Sequence, residues 1–486
     1  MAENILKIRD DECVVLNSSD DGFEIREGKS LSWLASGKSP SKIDLSSLRS
    51  GIEPWLTSLF QSEHLSLLVG TGLSYSLSKV ATTSDTDDKA TDTIIKIGKP
   101  TSTDSKKTSM DIPALTEKYR ENILSSVKDI AEKGRRGNAN IEDTIRVINE
   151  LLRGLEILGH SKIEGEPTSE HLAFTELKDN LKQIILDFTI GISNIEKSIA
   201  TAELSKREEA FGYLVNFLMS FASRSGTRER LNIFTTNYDR IIEAGAELAG
   251  LHLLDRFTGT LAPIFRSSRL DVDMHYNPPG IRGEPRYLEG VARFTKLHGS
   301  IDWVDTGTDI RRIGLPFGSS DIKSFLNAPG LSDVDSRKVM IYPNSAKDRE
   351  TAEYPYVELF RDFAAALCRP NSTLVTFGYG FGDEHINRVI KDMLTIPSTH
   401  LVIISFNDTG GRIIKKYEEL GRHSQITLII GEDLAELKTL VDYFLPKPSI
   451  DKASIRMSEL LRQRYSSIPK DESPQHFSAT MGGVEI

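Results

Sequence analysis

Cysteine is nearly missing from this chain: Cys13 and Cys368 are the only two in 486 residues, and they lie far apart. No disulfide framework can be built from them, and such cysteine usage reads as cytoplasmic. There is no Cys-x-x-Cys pair, so no thiolate zinc module can form. None of the ten histidines has a second one at i+3 or i+4, so no metal site is expected. Long apolar runs are missing too. Nothing approaches the roughly 20 residues that span a bilayer, so no membrane association is expected. The start, Met1-Ala2-Glu3-Asn4, has no basic stretch followed by an apolar one, and no signal peptide is expected. A basic excess is also missing. The net charge is −10, whereas a general nucleic-acid binder carries a basic surface, so direct nucleic-acid binding is not expected.

What remains is ordinary for a soluble globular protein: 38% hydrophobic and 27% charged residues. The length is about two to four times that of a typical domain. One large domain with insertions, or two domains with tails, would both fit.

Residues 1–55 mix short β-like runs, such as Cys13-Val14-Val15-Leu16, with polar turns. They read as a small β-rich appendage, either a surface feature or a homo-oligomer contact. The first strand of the main domain, 56–445, is Leu65-Ser66-Leu67-Leu68-Val69, and Ser74-Tyr75-Ser76-Leu77 can open a helix after it. Residues 79–110 are rich in Ser, Thr, Asp and Lys and cannot bury enough surface to offset their ordering entropy. They read as a mobile polar loop, a lid or an unstructured insertion. Within 112–230, apolar residues recur at helical spacing, for example Ile141, Ile145, Ile148, Leu152 and Leu155. This is a helical insertion between the first and second sheet strands. Lys133-Gly134-Arg135-Arg136 within it reads as a solvated turn rather than a phosphate site.

Short apolar runs then predict strands at 231–235, 292–297, 338–342, 373–377, 401–405 and 426–430, as buried parallel strands require. Helical patterns at 356–367, 386–393 and 434–444 separate several of them. The alternation predicts an α/β fold with a doubly wound, mainly parallel Rossmann-like sheet, carrying the helical insertion and the N-terminal β appendage. Residues 446–486 read as a tail with one helix near 455–464.

Five strand ends hold residues able to carry chemistry. Gly70-Thr71-Gly72-Leu73-Ser74 offers close backbone approach to a phosphate and a following helix N-terminus. The dinucleotide fingerprint is incomplete, because Tyr75 stands at its last glycine and no acidic residue follows a second strand. Thr236-Asn237-Tyr238-Asp239 places an amide and a carboxylate two residues apart after a strand; an Asx-type cap for the helix near Arg240 is the ordinary structural account. His298, before Gly299-Ser300, is able to take a proton near neutral pH, although a lone histidine is more often structural. Gly378-Tyr379-Gly380-Phe381-Gly382-Asp383-Glu384-His385 is another glycine-rich strand-to-helix turn, in which Asp383 is also a natural N-cap. Asn407 ends the next strand and is either a ribose contact or a turn asparagine.

Together these segments resemble the sirtuin superfamily. Gly70-Thr71-Gly72-Leu73-Ser74 is similar to its Gly-Ala-Gly-x-Ser NAD turn, Thr236-Asn237-Tyr238-Asp239 to its Gln-Asn-Ile-Asp segment, and Leu297-His298-Gly299 to the segment carrying its catalytic histidine. The resemblance is greatest to the zinc-module-free bacterial branch of anti-phage defence. That branch favours Thr-Thr-Asn-Tyr-Asp, Lys-Leu-His-Gly-Ser and Gly-Tyr-x-Phe-Gly-Asp-Glu-His, all present within about residues 60–445. The four-cysteine zinc module and the Gly-Ile-Pro-Asp-Phe-Arg loop of true sirtuins are missing, which argues against protein deacylation.

The resemblance implies NAD as substrate and no metal. It implies catalytic roles for Asn237, Asp239 and His298. It implies NAD binding by Gly70, Thr71, Gly72, Ser74, Thr236, Gly378, Tyr379, Gly380 and Asn407. The implied activity is an NAD glycohydrolase that depletes NAD during phage infection. A deacylase, an ADP-ribosyltransferase and a non-catalytic NAD or ADP-ribose sensor are the alternatives. A homo-oligomer is expected, with a HerA-type ATPase or a phage-derived protein as trigger; no Argonaute-linked segment is recognisable.

Overall fold

Alternate residues of the first central strand face opposite ways, and both faces are greasy. In His64–Val69, Leu65, Leu67 and Val69 enter one buried cluster and Leu68 another. A strand buried on both faces must be covered by helices on both, which is the parallel-sheet arrangement. A computed structural model describes residues 3–19, 22–26, 29–34, 43–82, 117–133, 141–159, 168–224, 228–268, 272–276, 286–319, 325, 331 and 354–447. The expected strand at 338–342, the helix near 455–464 and residues 83–110 of the polar loop lie outside these, as does Gly134-Arg135-Arg136.

In chain order the strands are β1 (Glu3–Lys7), β2 (Val14–Ser19), β3 (Gly22–Ile25), β4 (His64–Val69), β5 (Leu231–Thr235), β6 (His252–Leu254), β7 (Phe257–Thr258), β8 (Ile264–Phe265), β9 (His275–Tyr276), β10 (Arg286–Tyr287), β11 (Val291–Lys296), β12 (Trp303–Asp305), β13 (Ile310–Arg312), β14 (Ser372–Phe377), β15 (His400–Ser405) and β16 (Ile426–Ile430). The main helices are α1 (Leu45–Phe60), α2 (Gly72–Thr82), α3 (Glu117–Lys133), α4 (Ile141–Gly159), α5 (Ser169–Ala200), α6 (Leu204–Ala222), α7 (Ile241–Leu248), α8 (Tyr356–Leu367), α9 (Glu384–Met393) and α10 (Arg412–Leu420).

A ten-stranded sheet runs in the order β3-β2-β1-β16-β15-β14-β4-β5-β11-β6. It is parallel from β16 to β6 and antiparallel from β16 to β3. From β4 the chain first builds outward through β5 and β11, then returns to β4's other side for β14, β15 and β16. Right-handed crossovers made in opposite directions land on opposite faces. Accordingly α2, α6 and α7 join α1 on one face, while α8, α9 and α10 cover the other. The order reverses between β4 and β14, and ligands of open α/β sheets bind at that point, outside the carboxyl ends of the strands.

The N-terminal strands extend this sheet through the β1–β16 pairing rather than packing elsewhere. Asn4 Nδ2 donates to Ser18 Oγ at 2.8 Å and to Asp433 Oδ2 at 2.9 Å, pinning the junction. Helix α1 passes residue 55 without a break. The described residues up to Pro446 form one compact unit.

Two expected elements differ in detail. Helix α2 begins at Gly72 and continues to Thr82, because Val80 and Ala81 still reach the core. The helix expected at 434–444 is a short turn, Leu437–Thr439, followed by a π-turn, Leu440–Phe444, closed by Leu445 N donating to Leu440 O at 2.8 Å. The wider turn carries Leu440, Val441, Phe444 and Leu445 into one cluster. Helices α3, α4 and α5 form a third apolar cluster, which includes Tyr238, Ile301, Val304, Ile313 and Leu315 from the main domain.

Candidate active site

The glycines after β4 and β14 meet at the reversal point. Gly70 N donates to Phe377 O at 2.9 Å and Gly72 N to Gly378 O at 3.1 Å. A Cβ on Gly70 would lie 2.4 Å from Gly378 O, and one on Gly72 would lie 2.5 Å from Gly378 Cα. Gly378 itself has φ +60°. Backbone against backbone requires glycine here. Helix α2 starts from this junction, and its first N–H groups are engaged there: Gly72 N by Gly378 O, Leu73 N by Gly70 O at 3.2 Å and Tyr75 N by Thr71 O at 3.1 Å.

The turn after β5 leans on the same junction. Thr235 Oγ1 donates to Val69 O at 3.0 Å and accepts from Asn237 N at 3.0 Å, and Thr236 N donates to Val69 O at 3.2 Å. Asn237 is 4% exposed. Its Nδ2 donates to Gly70 O at 3.0 Å and to Ser74 Oγ at 3.1 Å. Both amide hydrogens are thereby used, which fixes the carboxamide. Its Oδ1 is buried and has no hydrogen-bond partner among the described residues. A buried acceptor without a donor is costly, and a bound water or a ligand hydroxyl would each satisfy it.

Asp239 is tied differently. Oδ2 accepts from Ser74 Oγ at 2.6 Å and Oδ1 accepts from Ile241 N at 3.2 Å. The carboxylate therefore caps α7 and holds Ser74, which in turn holds Asn237. The cap and the tie to Ser74 coexist in one side chain.

The segment after β11 folds back onto the turn. Leu297 N donates to Thr235 O at 2.8 Å, Ile301 N to Tyr238 O at 3.1 Å and Ser300 Oγ to Tyr238 O at 3.3 Å. Gly299 makes the bend with φ +82°. His298 is buried, its ring centroid 6.3 Å from that of Tyr238.

The remaining expected residues spread along the crest. Thr71 and Gly380 are exposed. Tyr379 is buried; its hydroxyl lies 3.3 Å from Asn387 Oδ1 and 3.4 Å from Asp383 O, and burial first, then the charge of Asp383, pushes the phenol well above its ordinary range. It acts as a brace for α9, whose N-cap is Asp383. Asn407 is exposed beyond β15, and its carbonyl accepts from Ser405 Oγ at 2.8 Å. From β15 to β11 is four strand spacings, about 19 Å. Asn407 and His298 thus stand toward opposite ends of this crest.

Charged residues near the site escaped the motif reading. Lys296 is 3% exposed; Nζ donates to Asp239 O and lies 3.0 Å from Glu243 Oε1. A lysine inside an apolar strand pattern was the available signal. Burial pushes the Glu243 carboxyl up to about 7; Lys296 opposes this and Asp302 adds to it. Glu243 Oε2 and Asp302 Oδ1 are buried without a partner among the described residues. A narrow notch beside β11 is lined by Glu243, Lys296, Phe257, Trp303 and Arg312. On the other side of the turn, Arg240 pairs with Glu196 of α5. Among the described residues no group of three or more His, Cys, Asp or Glu stands ready for a metal, and no helix is long and apolar enough to cross a membrane.

Residues 231–429 match the family model of the SIR2-like domain. The matched span opens at β5 and closes within β16, and it includes Asn237, Asp239, His298, the Gly378 turn and Asn407. Comparison with curated proteins gives no match.

Proposed function

We propose that this chain is an NAD glycohydrolase that depletes NAD in anti-phage defence. The observation that carries the reading is Asn237: its amide nitrogen is held by Gly70 and Ser74, and its buried oxygen has no donor among the described residues. That oxygen suits a hydroxyl or water donor, as the ribose end of NAD or an attacking water would supply. The start of α2 at the crest suits an anion such as a pyrophosphate through the helix dipole. The likeness of residues 231–429 to the SIR2-like domain supports NAD as the molecule concerned.

Hydrolysis breaks the bond between ribose and nicotinamide and joins a water oxygen to the ribose carbon. In this assignment Asn237 orients the water or ribose hydroxyl, and His298 takes the proton. Asp239 holds Ser74, and through it Asn237, beside the nicotinamide side of the site. The crest from Asn407 to His298 accommodates an extended dinucleotide. Because unrestrained NAD loss would kill the host, a second protein, a HerA-type ATPase or a phage product, is the proposed trigger, acting on a homo-oligomer.

The test is chromatography of NAD incubated with the purified chain, alone and with its neighbouring-gene product. His298→Ala should lower turnover by about 10²–10⁴-fold, the usual worth of a general base. Asn237→Ala should do the same while both variants remain folded at the assay temperature. Full activity in both would remove the assignment. ADP-ribose and nicotinamide as the only products would separate hydrolysis from transfer.

A further inference from the structure

We propose that Glu196, on the long helix of the insertion, is a positioning residue for the Asn237–Asp239 turn, so that the placement of this helix sets how well the site works. The proposal rests on the NAD-hydrolysing assignment for its activity readout, and on geometry for the rest.

Glu196 is fully buried near the end of the 32-residue α5. Its Oε1 accepts from Arg240 N at 2.7 Å and from Arg240 Nε at 3.2 Å. Its Oε2 accepts from Arg240 Nη2 at 2.5 Å and from Gly318 N at 3.2 Å. Arg240 also donates to the carbonyls of Leu315 and Pro316. The decisive bond is the one to the Arg240 main-chain N–H, because it grips the backbone itself, one residue after Asp239. From there the bonds continue without a gap: Asp239 Oδ2 to Ser74 Oγ at 2.6 Å, and Ser74 Oγ to Asn237 Nδ2 at 3.1 Å.

A second contact comes from the same helix. Phe188, two turns earlier, meets Tyr238 edge to face with ring centroids 5.6 Å apart. The helix therefore grips the turn at residue 238 by packing and at residue 240 by a carboxylate. Buried ion pairs add little net stability compared with apolar packing, so stability alone does not account for a fully buried glutamate at this point. Its distinguishing property is direction. An acceptor aimed at one main-chain N–H fixes the turn to within hydrogen-bond tolerance, and a misplacement of about 1 Å can cost about 10²-fold in rate.

The experiment uses the full chain, with its trigger protein if one is needed, and measures kcat and KM for NAD. Glu196→Asp keeps the charge that Arg240 needs but draws the carboxylate back by one methylene. It should lower kcat by roughly 10- to 100-fold with KM changed less than about threefold, and with the melting temperature little altered. Glu196→Gln keeps the original reach but removes the charge that Arg240 needs and turns one acceptor oxygen into an NH2 group facing N–H donors, so it should lower kcat as well and lower the melting temperature more than Glu196→Asp does. Unchanged kcat in Glu196→Asp, or a loss that follows only the unfolded fraction, would overturn the proposal and leave the hydrolase assignment standing. If the unmodified chain shows no NAD turnover, the assignment fails and hydrogen exchange decides the positioning role. Faster exchange in Glu196→Asp confined to residues 236–241 supports it, and unchanged exchange there overturns it.

Discussion

Asn237 spends its nitrogen on the protein and keeps its oxygen for something else. The same carboxamide used only as a turn cap would have had its oxygen satisfied. At the residue scale the glycines carry a second, separable expectation. Gly70→Ala would place a methyl 2.4 Å from the Gly378 carbonyl oxygen, and both sides of that contact are main chain. The variant should lose about 1–3 kcal/mol of stability, read as a lower denaturant midpoint. Gly380→Ala, at a position where a Cβ meets nothing within 4 Å, should melt normally. Glu243 gives a pH signature. Its folded pKa, about 7, stands above the ordinary 4.5. The folded state therefore holds the proton more tightly than the unfolded state, and this residue's contribution to stability declines as pH rises from about 4.5 to 7. Glu243→Gln should remove that slope, as denaturant melts at pH 5 and pH 8 would reveal; an unaltered slope would contradict the burial-driven shift.

At the scale of elements, what could be read in advance was what depends on local pattern. Helix α8 and strands β5 and β16 fall at their expected bounds, because each is a short apolar run or a strong amphipathic repeat with clear stops. The motif residues also lie at strand ends as expected. Long-range contacts were not legible: Glu196 meets Arg240 across 44 positions, and Gly72 meets Gly378 across the whole domain. Nor does any local pattern announce that the N-terminal strands complete the main sheet. That pairing leads to an expectation of its own. Residues 3–25 cover the edge of β16, so a chain beginning at residue 29 should expose an unpaired apolar strand and associate or precipitate. Light scattering against the full chain measures this, and a soluble, unchanged truncation would show the edge to be protected some other way.

At the scale of the whole molecule, three apolar clusters meet around one crest. Two lie on the faces of the sheet, and the third joins the insertion to the turns that bear Asn237 and His298. A ligand seated on that crest would bind the folded chain and not the unfolded one. Binding should therefore stabilise the entire fold by mass action, by about 2.7 kcal/mol at a concentration 100 times the dissociation constant. Differential scanning fluorimetry with NAD and with ADP-ribose measures the shift, and Asn237→Ala should shrink it. An unmoved melting temperature at millimolar ligand would speak against a site on the crest.

The close fit of Gly70 and Gly72 against Gly378 also limits how this chain can diverge. Each turn leaves the other no room for even a methyl group, so a side chain on one cannot be accepted until the other has moved. The three positions form one unit of heredity although some three hundred residues separate them. Paths of single substitutions out of this arrangement pass through a damaged intermediate, and a descendant that escapes it must rebuild both turns at once.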